Sequence, residues 1–213
     1  DEQNHLAGFA YLQRNDNPGL DKLDTFGLRF RGTCRVGYHE AMVAFQRDAY
    51  YGSLFAEKEL APVAIGAGIE YISGGNEVRE RFQTLNGTAH KFNGWADQFV
   101  GTNGGIEGGL VDLYGQVSAR AAEKLKLAGV YHWFNTADET DGGFEGEYGQ
   151  EIDLKATYAL CSSVDLLAKA LVEDLRHKQF KRLLRLGPRR CRVLPGRGGG
   201  VELAHEHPRL VAE

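Results

Sequence analysis

No run of this chain approaches the ~18–20 consecutive apolar residues of a membrane-spanning helix, which excludes a helical membrane protein. A transmembrane β-barrel escapes that test, because only alternate strand residues face lipid and the average hydropathy stays low. Proline is scarce, five of 213 residues, too few for a disordered linker protein. The three cysteines, Cys34, Cys161 and Cys191, are odd in number and widely spaced. That fits neither a disulfide framework nor a CxxC zinc site. The polar opening Asp1–Asn4 lacks the basic-then-apolar order of a leader. The expectation is that a leader has been removed or that the chain is a fragment starting inside a larger protein.

Catalytic and nucleotide signatures are also missing. The glycines of Gly104–Gly109 lack the Lys-Ser/Thr and following helix of a phosphate loop. Glu151 and Asp153 share a face only as alternate strand residues do, whereas a glycosidase pair is set across a scissile bond. The acidic group Asp138, Glu139, Asp141, Glu145 and Glu147 misses the EF-hand spacing and reads as a solvated loop. His205-Glu206-His207 has no further ligands near it in sequence. No enzyme, metal or cofactor is expected.

What the chain has is alternation. In Tyr148–Leu160 the odd positions Gly149, Glu151, Asp153, Lys155 and Thr157 are polar or small, and Ile152, Leu154, Ala156, Tyr158 and Leu160 are apolar. Strand side chains point to opposite faces in turn, so this segment turns charge one way and apolar groups the other. Thr25–Arg31 sets Phe26, Leu28 and Phe30 against Gly27, Arg29 and Arg31. Val36–Arg47 sets Ala41, Val43 and Phe45 against Glu40, Met42 and Gln46. Leu6–Leu12 reads as a short apolar strand before the turn-rich Asn15–Gly19. Tyr50–Ala56 and Val63–Ser73 read as a hairpin across Glu57–Pro62. Leu110–Ala119 and Leu125–Phe134 read as a second hairpin, with the faces of its latter arm ambiguous. Gly74–Gly109 is a long, irregular stretch, which inside a compact domain is usually functional.

Glycine is abundant, 28 residues, and with Tyr and Phe it suits twisted strands and tight turns. Strands tend to end in aromatics such as Tyr11, Phe45, Tyr71, Trp133 and Tyr158. Aromatic girdles, with short turns on one side and long loops on the other, are what a membrane barrel requires. A soluble antiparallel sandwich alternates in the same way, so a soluble β-sheet carbohydrate-binding module stays open as the alternative. Trp95 and Trp133 would then be its stacking platforms.

The segments LAGFAYLQRNDNP, DTFGLRFRG, HKFNGWADQFVGT, LAGVYHWFNTADE and YGQEIDLKATY resemble, in order and spacing, the later part of bacterial outer-membrane porin-like proteins of the alginate-export type. The resemblance covers roughly residues 6–170. It is most specific in HKFNGWADQF together with the downstream GVYHWF and YGQEIDLKATY. It implies an all-β, antiparallel up-and-down transmembrane β-barrel, or part of one, over residues 1–165. It further implies residence in the bacterial outer membrane, lipid and lipopolysaccharide as neighbours, and passive passage of small solutes or polysaccharide. On that reading Arg29, Arg31, Glu40, Glu70, Asp112, Glu151, Asp153 and Lys155 line the lumen and contact the substrate. Gly74–Gly109 would fold inward or cap one mouth. The chain is short for the whole barrel of such proteins and ends on Val211-Ala212-Glu213 rather than on an aromatic.

The net charge of −4 is unevenly spread. Residues 1–170 carry 15 basic against 24 acidic side chains, and residues 171–213 carry 10 against 5. A shifted reading frame or a fusion near Ala170 would account for the change. Ser162-Ser163-Val164-Asp165 has the spacing of a helix start, and Val164, Leu167, Ala168, Leu171, Leu175, Leu183 and Leu186 fall near one helical face. The spacing predicts an amphipathic helix over Leu166–Leu186, stopped by Gly187-Pro188, and a disordered basic tail over Gly187–Glu213. Such a helix either packs on a neighbour or lies on anionic lipid. The tail lacks interleaved aromatics, so no nucleic-acid partner is expected.

Overall fold

The computed structural model describes residues 4–14, 22–84, 93–99, 105–138, 146–161, 164–175, 192–195 and 201–204. Nine strands form one antiparallel sheet in chain order: β1 Asn4–Gln13, β2 Leu23–Cys34, β3 Gly37–Gln46, β4 Ala49–Leu60, β5 Val63–Ile72, β6 Leu110–Ala122, β7 Leu125–Asn135, β8 Glu147–Cys161 and β9 Val164–Leu175. Each strand pairs with its sequence neighbour, so the topology is an up-and-down meander. Two short strands, β10 Arg192–Pro195 and β11 Val201–Ala204, pair separately. Among the described residues no helix is long and apolar enough to cross a membrane, a test that does not bear on strands.

The sheet is open. β1 and β9 are its two edges and do not pair with each other, so these strands do not make the closed barrel among the expected outcomes. In an antiparallel meander of nine, the first and last strands run the same way, and direct pairing would need a parallel seam. The all-β, antiparallel, up-and-down expectation holds.

Two elements differ from the sequence reading. β4 and β5 pair as far as Leu60↔Val63, leaving Ala61–Pro62 as the turn in place of Glu57–Pro62. Glu57, Lys58 and Glu59 continue the alternation, and a hairpin needs only two connecting residues. The second difference lies in the expected helix. Its first half is strand, because Val164–Leu175 is β9 and pairs along the length of β8. The leucines there satisfy both periods, and the free edge of β8 supplies ladder partners that override a helix-cap signal. The sheet therefore runs past residue 165. Residues 176–186 lie outside the described residues, as does most of the tail expected to be disordered.

The connections fall into two classes by end. At one end the turns Arg35–Val36, Ala61–Pro62 and Glu123–Lys124 have two residues each. At the other lie the connections 14–22, 73–109 and 136–146, with only Arg47–Asp48 short. These are called the turn end and the loop end below.

Cross-strand register fixes the faces. One row runs Arg29–Met42–Ser53–Glu70–Asp112–Phe134 across β2 to β7. The adjacent outward set includes Leu28, Val43, Leu54, Ile69, Leu113, Ile152, Leu154 and Val172, all exposed. Apart from Tyr11, Val36 and Val78, every large apolar side chain exposed among the described residues belongs to this outer face. Phe26, Phe45, Tyr50, Tyr71 and Trp133 rim it at the loop end, with Tyr50 and Tyr71 stacked at 5.6 Å. The buried core is small and lies on the opposite, inner face at the loop end. There Tyr51, Ile72, Leu110, Phe134 and Tyr148 meet Phe82, Phe99 and Ile106 from the 73–109 connection. Phe99 lies 4.8 Å from Phe134 and 5.6 Å from Tyr148, ring to ring. On the same face Gly68 lies under the Tyr114 ring, where a Cβ would collide with it.

Candidate functional site

All eight residues expected to line a lumen share the inner face, which the alternation of β2, β3, β5, β6 and β8 dictates. They separate into two environments across the sheet, since Arg29 shares a register row with Glu70 and Asp112, and Arg31 and Glu40 share one with Glu151.

Arg29 and Arg31 on β2, Glu40 on β3 and Lys155 farther along β8 lie on the accessible part of this face. Arg29 forks onto Glu40, donating from Nε to Oε1 at 3.1 Å and from Nη2 to Oε2 at 2.7 Å. Tyr38 donates its hydroxyl to the same carboxylate at 2.7 Å. Arg31 is the register partner of Glu40 and is exposed, as is Lys155. Gln116 donates to Glu57 at 2.7 Å beside them. Half-exposed pairs of this kind contribute roughly 0–1 kcal/mol each to stability. Their use is to set a local field of mixed sign.

On β5, β6 and β8, Glu70, Asp112, Glu151 and Asp153 are buried. They are not bare: the irregular chain 93–99 lies over them. Glu70 accepts hydrogen bonds from the Tyr51 hydroxyl and from the Asn93 amide. Asp112, opposite Glu70 in register, is 2.9 Å from His132 Nδ1. His132 Nε2 lies 3.7 Å from Asp153, so the imidazole sits between two carboxylates. Glu151 accepts from the backbone amides of Trp95 and Ala96, the latter at 2.9 Å. The Trp95 amide also lies 3.3 Å from Asp153 Oδ2, while Asp153 Oδ1 is buried without a hydrogen-bond partner among the described residues. Gln98 donates to Glu173 on β9 at 3.3 Å, and Lys169 on β9 stands 5.1 Å from the centre of the Trp95 ring.

The backbone of 93–99 is shaped for this. Asn93 and Asp97 have φ of 56° and Gly94 of 83°. Left-handed residues beside right-handed ones turn successive N–H groups to one side and make a concavity for an anion. Here the group in the concavity is the Glu151 carboxyl, whose Oε1 accepts from both Trp95 and Ala96. A Cβ on Gly94 would stand 2.5–2.9 Å from that carboxylate.

Sequence reasoning missed His132, Tyr51, Asn93 and Lys169 as members of this arrangement. The faces of β7 are ambiguous by composition, and only register places Lys126, Ala128, Val130, His132 and Phe134 inward. Trp95 and Trp133, paired as stacking platforms in the alternative reading, sit apart: Trp133 on the outer face and Trp95 on the strap over the inner one. Of the acidic loop, Asp138 accepts from the Gly74 amide at 2.7 Å and the Tyr71 hydroxyl at 3.2 Å. Its residues 139–145 lie outside the described residues. Neither a family model, nor a curated protein, nor a solved structure matches this chain.

Proposed function

We propose that this chain forms the wall of an outer-membrane pore, through which small solutes or polysaccharide pass without energy input. One observation carries the reading. The outer face is apolar and exposed from edge to edge, with an aromatic rim, and nearly all the ionisable strand residues point the other way. A face of that extent is far larger than the patches soluble monomers expose. In β5 the apolar positions Val63 to Tyr71 extend about 27 Å along the strand, at roughly 3.4 Å per residue. A tilted strand crosses the hydrocarbon core with about 9–11 residues, and Val63 to Tyr71 supplies nine. Contact with acyl chains would stabilise the wall by on the order of 1 kcal/mol for each half-exposed aliphatic side chain. Short turns at one end and long connections at the other fit the asymmetry of such barrels.

Purification with and without detergent tests the membrane half of the reading. The expected outcome is aggregation when detergent is removed, flotation with liposomes, and anomalous migration on a gel when unheated. A monodisperse, detergent-free monomer would overturn it and leave the soluble carbohydrate-binding module in its place. Planar-bilayer recording tests the passage half, with discrete conductance steps as the expected result. Protein that floats with liposomes and never conducts would sink passage alone.

A further inference from the structure

Segment 93–99 does more than fill space. It reaches β5 through Asn93 and Glu70, β8 through Trp95, Ala96 and Glu151, and β9 through Gln98 and Glu173. Those strands stand first, fourth and fifth in a run of five neighbours. At ~4.8 Å between strands, the arc they cover is roughly 19 Å. A strap tied at both ends of that run ties β5 to the edge strand β9. Its centre carries the Trp95 indole, with Lys169 against the ring.

We infer that Glu151 is a positioning residue whose carboxylate, held in the amides of Trp95 and Ala96, fixes this strap across the inner face, so that Trp95 and Lys169 stand in the path of a passing solute. The second half rests on the pore reading above; the first does not. Two features make Glu151 the clamp rather than one contact of many. It is almost wholly buried, at 1% exposure, and takes two backbone donors from the strap itself. Gly94, immediately before those donors, has the one side chain that leaves the carboxylate room. The strap holds Glu70 and Glu151 directly and lies over the other two carboxylates, and a solute meets Trp95, Lys169 and the charges of Arg29, Arg31, Glu40 and Lys155 instead.

The test uses detergent-refolded protein in a Trp133→Phe background, which leaves Trp95 as the only indole. Glu151→Leu removes both oxygens of the clamp, including the Oε1 that accepts from Trp95 and Ala96. Gly94→Ala pushes on the clamp from the strap side and leaves every strand residue in place. Acrylamide quenching of Trp95 should rise by at least about twofold in both variants, as expected when the buried acceptor of two amides is lost or displaced. The unheated-gel shift should stay as in the parent. Glu151→Asp, which keeps the carboxyl group, should restore part of the protection. Single-channel conductance should rise in the same two variants. Unchanged quenching in both overturns the clamp. Increased quenching with unchanged conductance overturns the placement of Trp95 in the path. A parent that does not conduct, with quenching behaving as described, removes the pore reading and the path placement while the clamp stands.

Discussion

Leu154 and Lys155 are neighbours on β8 with opposite surroundings: Leu154 projects from the middle of the apolar face, 51% exposed, and Lys155 from the inner one. Leu154→Arg should cost about 2–4 kcal/mol in a bilayer, the range for a cation on the lipid-facing midplane of a barrel. Lys155→Ala should change stability by less than about 0.5 kcal/mol, as exposed polar substitutions do. Denaturant titration of both variants in lipid vesicles checks the pair; equal effects would remove the distinction between the faces. Gly68 makes a second point at this scale. Its missing side chain is the seat of the Tyr114 ring, and Gly68→Val should lower stability by roughly 1–3 kcal/mol through overpacking, read as a shift in the same titration. Individual residues also show why alternation was readable and the clamp was not. Period-two patterning specifies a face from local sequence, whereas a carboxylate paired with amides more than fifty residues away leaves no local trace.

Among the elements, β2 and β8 both run from the loop end to the turn end and finish in Cys34 and Cys161. Both thiols are exposed. If the sheet spans a membrane, an impermeant maleimide added to a Cys191→Ser variant in intact bilayers should label both cysteines from one side and neither from the other. Mass spectrometry of the two peptides reads the result, and labelling of one cysteine from each side would break the topology. The strands with polar inner faces, β2, β3, β5, β6 and β8, were legible because they alternate over seven residues or more, while their up-and-down order was what the resemblance implied. β9 was not. Leu167, Ala168, Leu171 and Leu175 sit at helical spacing, while Leu167, Lys169, Leu171 and Glu173 also make an inward strand face. Only the edge of β8 decides between them, and that edge is a property of the sheet. The β4–β5 turn failed for a related reason: charge was taken as loop, though charged residues continue the alternation to Leu60.

At the scale of the whole molecule the usual arrangement of a globular protein is reversed. Among the described residues most large apolar strand side chains are outside, and the buried groups include four carboxylates and a small, partly aromatic core at one end. Mixed-sign charges on the accessible inner face give weak preference by sign, so conductance carried by the chain should show cation and anion permeabilities within about tenfold of each other. Reversal potentials under a salt gradient measure this, and near-ideal selectivity for either ion would contradict the arrangement of Arg29, Arg31, Glu40 and Lys155.

The common heading of β1 and β9 has a consequence for any complete cylinder. Joined to each other, they would make a seam of slanted, evenly spaced hydrogen bonds, unlike every other seam in the sheet. Two copies standing with their long connections on the same side meet in the same way, with the first strand of one against the last strand of the other. A tube whose seams are all antiparallel therefore requires an odd tally of extra strands between these two borders.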